Sequence, residues 1–108
     1  EEIYKILEER YPDNTDVLYN LGVVYYTKGE YKDALEKFIE AIKIDQNLDS
    51  YLYAGMTYEM LGNKEMALKY YQDRVRFKKS DDDEFAKEAM HGIRKLREEL
   101  KLNSGEVQ

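Results

Sequence analysis

The chain has 108 residues, 43% hydrophobic and 37% charged, which fits one folded domain rather than a disordered tail or several domains. Without cysteine it has no disulfide, thiolate metal ligand or cysteine nucleophile, and a formal net charge of -6 opposes general affinity for nucleic acid, which relies on Lys and Arg against phosphates. One proline and eleven tyrosines favour long helices over a turn-rich strand fold, and no apolar run approaches the roughly 18 residues of a membrane span. The chain opens on Glu1 with no charged-then-apolar leader, so an excised piece of a longer protein is the expectation and the compartment stays open.

Leu18, Leu21, Gly22 and Tyr25 recur at helical spacing, although glycine inside a helix costs about 1 kcal/mol relative to alanine. Gly29 is placed to end that helix, because a left-handed terminus suits a residue without Cβ. A second helix follows over residues 31–44, with Ala34, Leu35, Phe38, Ala41 and Ile42 as its core-facing stripe. Thirty-three residues further on, the pattern returns. Tyr51, Gly55, Tyr58, Gly62, Ala67, Leu68 and Tyr71 stand at the places of Leu18, Gly22, Tyr25, Gly29, Ala34, Leu35 and Phe38. The second helix of this unit is expected over residues 64–78.

The basic run Arg74, Arg76, Lys78 and Lys79 reads as a helix C-terminus facing the acids at 81–84, not as a phosphate-binding patch. Arg74 occupies a place that holds Ala41 in the first unit, and pairing with one of those acids would explain the exchange. Asp81, Asp82, Asp83 and Glu84 lack the alternating ligands, central glycine and distant glutamate of a calcium loop, and helix capping accounts for them. The last helix is expected over residues 82–102, capped by Ser80 or Asp81, with Phe85, Ala89, Ile93, Leu96 and Leu100 on one apolar stripe. Residues 103–108 are expected to be a flexible tail.

Leu18, Leu21-Gly22, Tyr25, Ala34, Phe38 and Ala41 together resemble the tetratricopeptide repeat, strongly over residues 15–48 and more weakly over 48–81. Gln46 and Lys79 stand where the family closes each unit with proline. The resemblance implies that residues 1–14 are the second helix of a preceding unit, with Tyr4 in the Phe place, Leu7 in the small place and Pro12 as the closing proline. It implies an all-α fold, a right-handed superhelical stack of antiparallel helix pairs forming one domain over 1–102. The final amphipathic helix would cover the apolar face that a stack of repeats leaves open.

In such stacks the first helices line a concave groove. With Leu18, Leu21, Gly22 and Tyr25 inward, Tyr19, Asn20, Val23, Tyr26 and Thr27 face outward; of these Tyr19, Asn20, Val23 and Tyr26 are expected to line the groove, joined from the second unit by Leu52, Tyr53, Met56, Glu59 and Met60. Tyrosine offers contact area and a hydroxyl, and methionine adapts to irregular surfaces, so the expected function is a scaffold or adaptor that binds a peptide or helix of a partner protein. The family's best-known mode clamps a C-terminal carboxylate with Lys, Arg and Asn on the first helices. Only Asn20 answers to it, so that mode is not expected. Asp16, Asp49 and Glu59 at the groove edges favour an apolar segment with basic flanks. The alternative is a section of a longer solenoid or a homo-oligomer, joined through Ile3, Tyr4, Ile6 and Leu7 of the open half-repeat. His91, the single histidine, is expected at the surface, without the companions a metal site needs. No cofactor is implied and no catalytic residue stands out among the 23 carboxylates, so an enzyme is not expected.

Overall fold

The computed structural model describes residues 2–103, which form six helices and no strand: α1 (Glu2–Arg10), α2 (Thr15–Thr27), α3 (Tyr31–Asp45), α4 (Leu48–Met60), α5 (Lys64–Arg76) and α6 (Glu84–Asn103). Three starts are set by asparagine, whose side-chain oxygen accepts from otherwise unpaired first-turn N–H groups. Asn14 receives Asp16 and Val17 N–H at 3.0 and 3.1 Å, Asn47 receives Ser50 N–H at 2.9 Å, and Asn63 receives Met66 N–H at 3.1 Å. The ends of α2 and α4 are set by Gly29 and Gly62, at φ of +81° and +83°. In both, the residue after the glycine donates back into the last turn, Glu30 N–H to the Tyr25 carbonyl and Asn63 N–H to the Tyr58 carbonyl, each at 2.9 Å. Asn63 thus closes one helix with its backbone and opens the next with its side chain.

Short connections make α2 and α3, and then α4 and α5, antiparallel pairs, and α3 against α4 and α5 against α6 continue the stack. The architecture is an all-α stack of helix pairs. Leu18, Leu21, Ala34, Phe38, Ala41 and Ala54 are fully buried in it. The sixth helix packs on the second pair through Ala89, Ile93 and Leu96, which join Leu52, Ala67 and Tyr71 in one cluster, and its Ala86 is buried as well. Phe85 packs on the edge of that cluster. The near end is different: α1 rests on α2, tied to α3 by the Lys37 and Glu8 ion pair, and has no fully buried residue.

Two interior glycines explain how closely the helices approach. A Cβ on Gly22 would meet Cε1 of Phe38 at 2.6 Å, and one on Gly55 would meet Cε1 of Tyr71 at 2.5 Å, both closer than real Cβ contacts. The helical penalty of glycine is therefore set against burial of a whole ring.

Around residue 80 the structure departs from the sequence reading. The fifth helix stops at Arg76 and the sixth starts at Glu84, so the turn between them is longer than expected. Asp83, rather than Ser80 or Asp81, caps α6: its Oδ1 accepts from Ala86 N–H at 3.1 Å and its Oδ2 from Lys79 N–H at 2.9 Å. Asp81 is spent on Lys78, and the Ser80 hydroxyl accepts from Asp82 N–H. The reason is Arg74, 1% exposed, whose Nη2 reaches both oxygens of Asp83 at 2.8 and 2.9 Å. A cap that also neutralises a buried cation outcompetes one that only caps. Of the residues expected as a tail, Asn103 ends α6 and the others lie outside the described residues.

Burial alone would raise the Asp83 carboxyl. The N–H groups of Lys79 and Ala86 and the Arg74 guanidinium outweigh it and hold the group at about 2, against an ordinary 3.8. A depressed folded value means that this stabilisation is present above pH 3.8 and is lost as pH falls toward 2. Asp83→Asn should cost about 3 to 5 kcal/mol at neutral pH, because Arg74 is left buried and unpaired, and should flatten the acid limb between those values. Urea unfolding at several pH values checks both effects; a loss below 1 kcal/mol would contradict the assignment.

Candidate functional site

A cleft of about 450 Å³ lies between the last turn of α2, the stretch of α4 from Leu52 to Met60 and the middle of α6. Its residues arrive there by helical spacing. Tyr26 comes from the last turn of α2, while Leu52, Tyr53, Met56, Glu59 and Met60 follow one another along α4. The opposite wall is Glu88, His91, Gly92 and Lys95 of α6, and Tyr71 of α5 reaches the floor. His91 is exposed on that wall.

Six of the nine residues expected to face a groove line this cleft: Tyr26, Leu52, Tyr53, Met56, Glu59 and Met60. Leu52 does so only with an edge, since it is 4% exposed and belongs to the core against α6. Tyr19, Asn20 and Val23 are not among the lining residues. Tyr19 leans on Phe38 and Tyr53, with ring centroids at 6.0 and 5.7 Å, Val23 packs beside Phe38 and Ala54, and Asn20 is exposed. They sit earlier on α2, away from the end where the cleft opens. Asp16 and Asp49 do not border the cleft either. First-turn residues of α2 and α4, they border a separate depression with Asp45, Asn47 and Lys79.

Tyr53 is the aromatic hub of the wall. Its ring lies 5.8 Å from Tyr26 at 89°, 5.5 Å from Phe38 and 6.4 Å from Phe85. Edge-to-face pairs of this kind fix ring orientation, so the cleft wall is preformed. Met60, 52% exposed, is the freest apolar group on it.

The floor holds a polar chain. Tyr71 is 2% exposed, and its hydroxyl donates to Glu59 Oε2 at 2.5 Å. Glu59 Oε1 lies 2.7 Å from Lys95 Nζ. Burial, then the hydrogen bond to Glu59, raises the Tyr71 hydroxyl well above its usual 10, and the hydrogen bond to Glu59 raises the Lys95 ammonium. Tyr71 is also gripped from two sides, since a Cβ on Gly92 would meet its Cδ2 and Cε2 at 2.9 and 2.7 Å, as one on Gly55 would meet its other edge.

The α6 wall is absent from the sequence reading. Glu88, His91 and Lys95 are spaced at i, i+3 and i+7, one helix face, but only the docking of α6 through Ala89 and Leu96 turns that face toward α4. Gly92 lacked the spacing of 33 that marked Gly22 and Gly55. A partial signal did exist: Glu59 and Tyr71 stand 33 residues after Tyr26 and Phe38, so a carboxylate and a hydroxyl enter the second unit together. Among the described residues, no group of three or more His, Cys, Asp or Glu is placed to hold a metal ion, and no helix is long and apolar enough to cross a membrane.

Comparison with known families matches residues 15–48 and residues 49–73 to two models, each described as tetratricopeptide repeat. Comparison with curated proteins finds no match.

The Tyr71 hydroxyl gives the site a measurable signature. Because its folded value lies above the unfolded 10.0, the associated stability is complete below pH 10 and declines as pH rises further. Tyr71→Phe, which restores the first unit's residue, should cost about 1.5 to 3 kcal/mol at pH 7, the range for a hydrogen bond to a charged group, and should lessen the alkaline decline. Guanidinium unfolding of both proteins at pH 7 and above pH 10 measures this.

Proposed function

The chain belongs to the tetratricopeptide repeat family, and on that premise we propose that the cleft between α2, α4 and α6 binds a peptide or helix of a partner protein, so that the chain acts as a scaffold or adaptor. Repeats of this family are protein–protein interaction modules and typically non-catalytic. The observation that carries the reading is the cleft itself, about 450 Å³ walled by Tyr26, Tyr53, Met56 and Met60. A rigid aromatic wall next to adaptable thioethers costs little side-chain entropy on binding, and the groove suits the apolar face of a helix. A partner segment with apolar residues and basic flanks fits it, given Glu59 and Glu88 on opposite walls.

Tyr53 is a poor residue for testing this, because its ring supports four neighbours and its truncation would unsettle the fold. Met60 and His91 are both exposed on the cleft. Peptides selected from a displayed random library against the intact chain should lose at least about tenfold in affinity for a Met60→Ala, His91→Ala variant, or about 1.4 kcal/mol, while its melting temperature is unchanged. Peptides that bind both proteins equally, or a library that yields no binder, would remove the reading.

The open end supports a second reading, self-association or continuation of the stack. Ile3 and Ile6 of α1 are 70% and 57% exposed, whereas Tyr4 and Leu7 are half-buried. Two exposed isoleucines on one short helix are a natural contact with another apolar helix. Sedimentation should then show a concentration-dependent dimer that Ile3→Asp, Ile6→Asp dissolves without unfolding the chain; a monomer at all concentrations excludes self-association.

A further inference from the structure

We infer that the cleft takes one basic side chain of a partner, a lysine or arginine, onto the Glu59 carboxylate, and that Lys95 occupies that place in the free protein. The inference rests on the cleft being a peptide site, and it adds the chemistry of the occupant and a competitor built into the fold.

The repeat register isolates what is particular to this unit. Where the first unit has Tyr26 and Phe38, the second has Glu59 and Tyr71, and the two new polar groups touch at 2.5 Å. The first unit builds the same helix pair around Phe38 and Gly22 without them, so the fold does not require the carboxylate. Glu59 is nevertheless fixed in place, its side chain 19% exposed and one oxygen held by a buried hydroxyl. The other oxygen faces the cleft. Lys95 reaches it from a side chain 49% exposed, and an ion pair with a long, half-exposed lysine is worth little, so exchange for another cation costs little.

The walls suit the stem of the incoming residue. Tyr26 and Tyr53 provide ring surface for a cation, and Met56 and Met60 provide apolar contact for its methylenes. Two carboxylates, Glu59 and Glu88, face the one ammonium of Lys95, so the cleft attracts cations even with Lys95 seated. Once displaced, Lys95 has Glu99 and Glu88 within electrostatic reach on its own helix. Arginine is favoured over lysine at such a place, since its planar group stacks on the rings and its fork matches a fixed carboxylate.

Selection of random displayed peptides against the intact chain tests this directly. Binders should carry Arg or Lys at one fixed position, and replacing that residue by Gln should weaken binding about tenfold. Glu59→Gln, which keeps an acceptor for the Tyr71 hydroxyl, should produce the same loss with the original peptide and none with the Gln peptide. Lys95→Met should tighten the basic peptide several-fold. Circular dichroism melts confirm that both variants fold. Binders that need Met60 and His91 but show no fixed basic residue, or a weaker basic peptide on Lys95→Met, overturn this inference and leave the peptide-binding reading standing. Absence of any binder that depends on Met60 and His91 removes both.

Discussion

Everything in this molecule is spaced by a ring resting where a glycine has no side chain. Phe38 lies over Gly22 and Tyr71 over Gly55, each so close that a methyl group would collide with the ring. That contact fixes how near the two helices of a pair approach and which rotation each adopts. From it follow the inward set Leu18, Leu21 and Ala34 and the direction in which the remaining faces point. A buried aromatic ring contributes about 1.5 to 3 kcal/mol, more than the roughly 1 kcal/mol that a helical glycine costs, so the exchange favours folding in both units.

The second unit extends this contact into a link with α6. Tyr71 is held between two glycines, Gly55 of α4 and Gly92 of α6, where the same ring packing serves two helix interfaces. Three residues on, Arg74 fills the place of Ala41 and reaches Asp83, which opens α6. One face of α5 therefore locates the final helix twice, once by an aromatic ring in its middle and once by an ion pair at its start. Breaking a buried pair costs several kcal/mol, which suits the joint that holds α6 on α5.

Most of the architecture was legible because a repeat writes its contacts twice. Gly22 and Gly55, Gly29 and Gly62, Phe38 and Tyr71 gave period, turns and core face from spacing alone. What is written once was harder to read. Gly92 has no counterpart at 33 residues, and Asp83 is one of four consecutive acids that differ only in their distance from Arg74. Likewise, the nine residues expected in the groove came from assigning whole outer faces of α2 and α4. The cleft runs along α4 from Leu52 to Met60 but meets α2 only at its last turn, so Tyr26 joins Tyr53, Met56 and Met60 while Tyr19, Asn20 and Val23 do not. Helical periodicity tells which side a residue faces; it does not tell which third of that side another helix will complete.

The sixth helix shows why that distinction matters. Its buried apolar stripe, Ala86, Ala89, Ile93 and Leu96, covers the apolar face that the second helix pair turns toward it. Along the adjoining edge run Glu88, His91 and Lys95, rotated just far enough from the stripe to face α4 across the cleft, which Lys95 spans to reach Glu59 at 2.7 Å. A helix whose only task was to shield the core would need no particular residues on that edge. Here they complete a walled cleft in which the second repeat places a carboxylate absent from the first, so the helix packed on the second unit also distinguishes that unit from the one before.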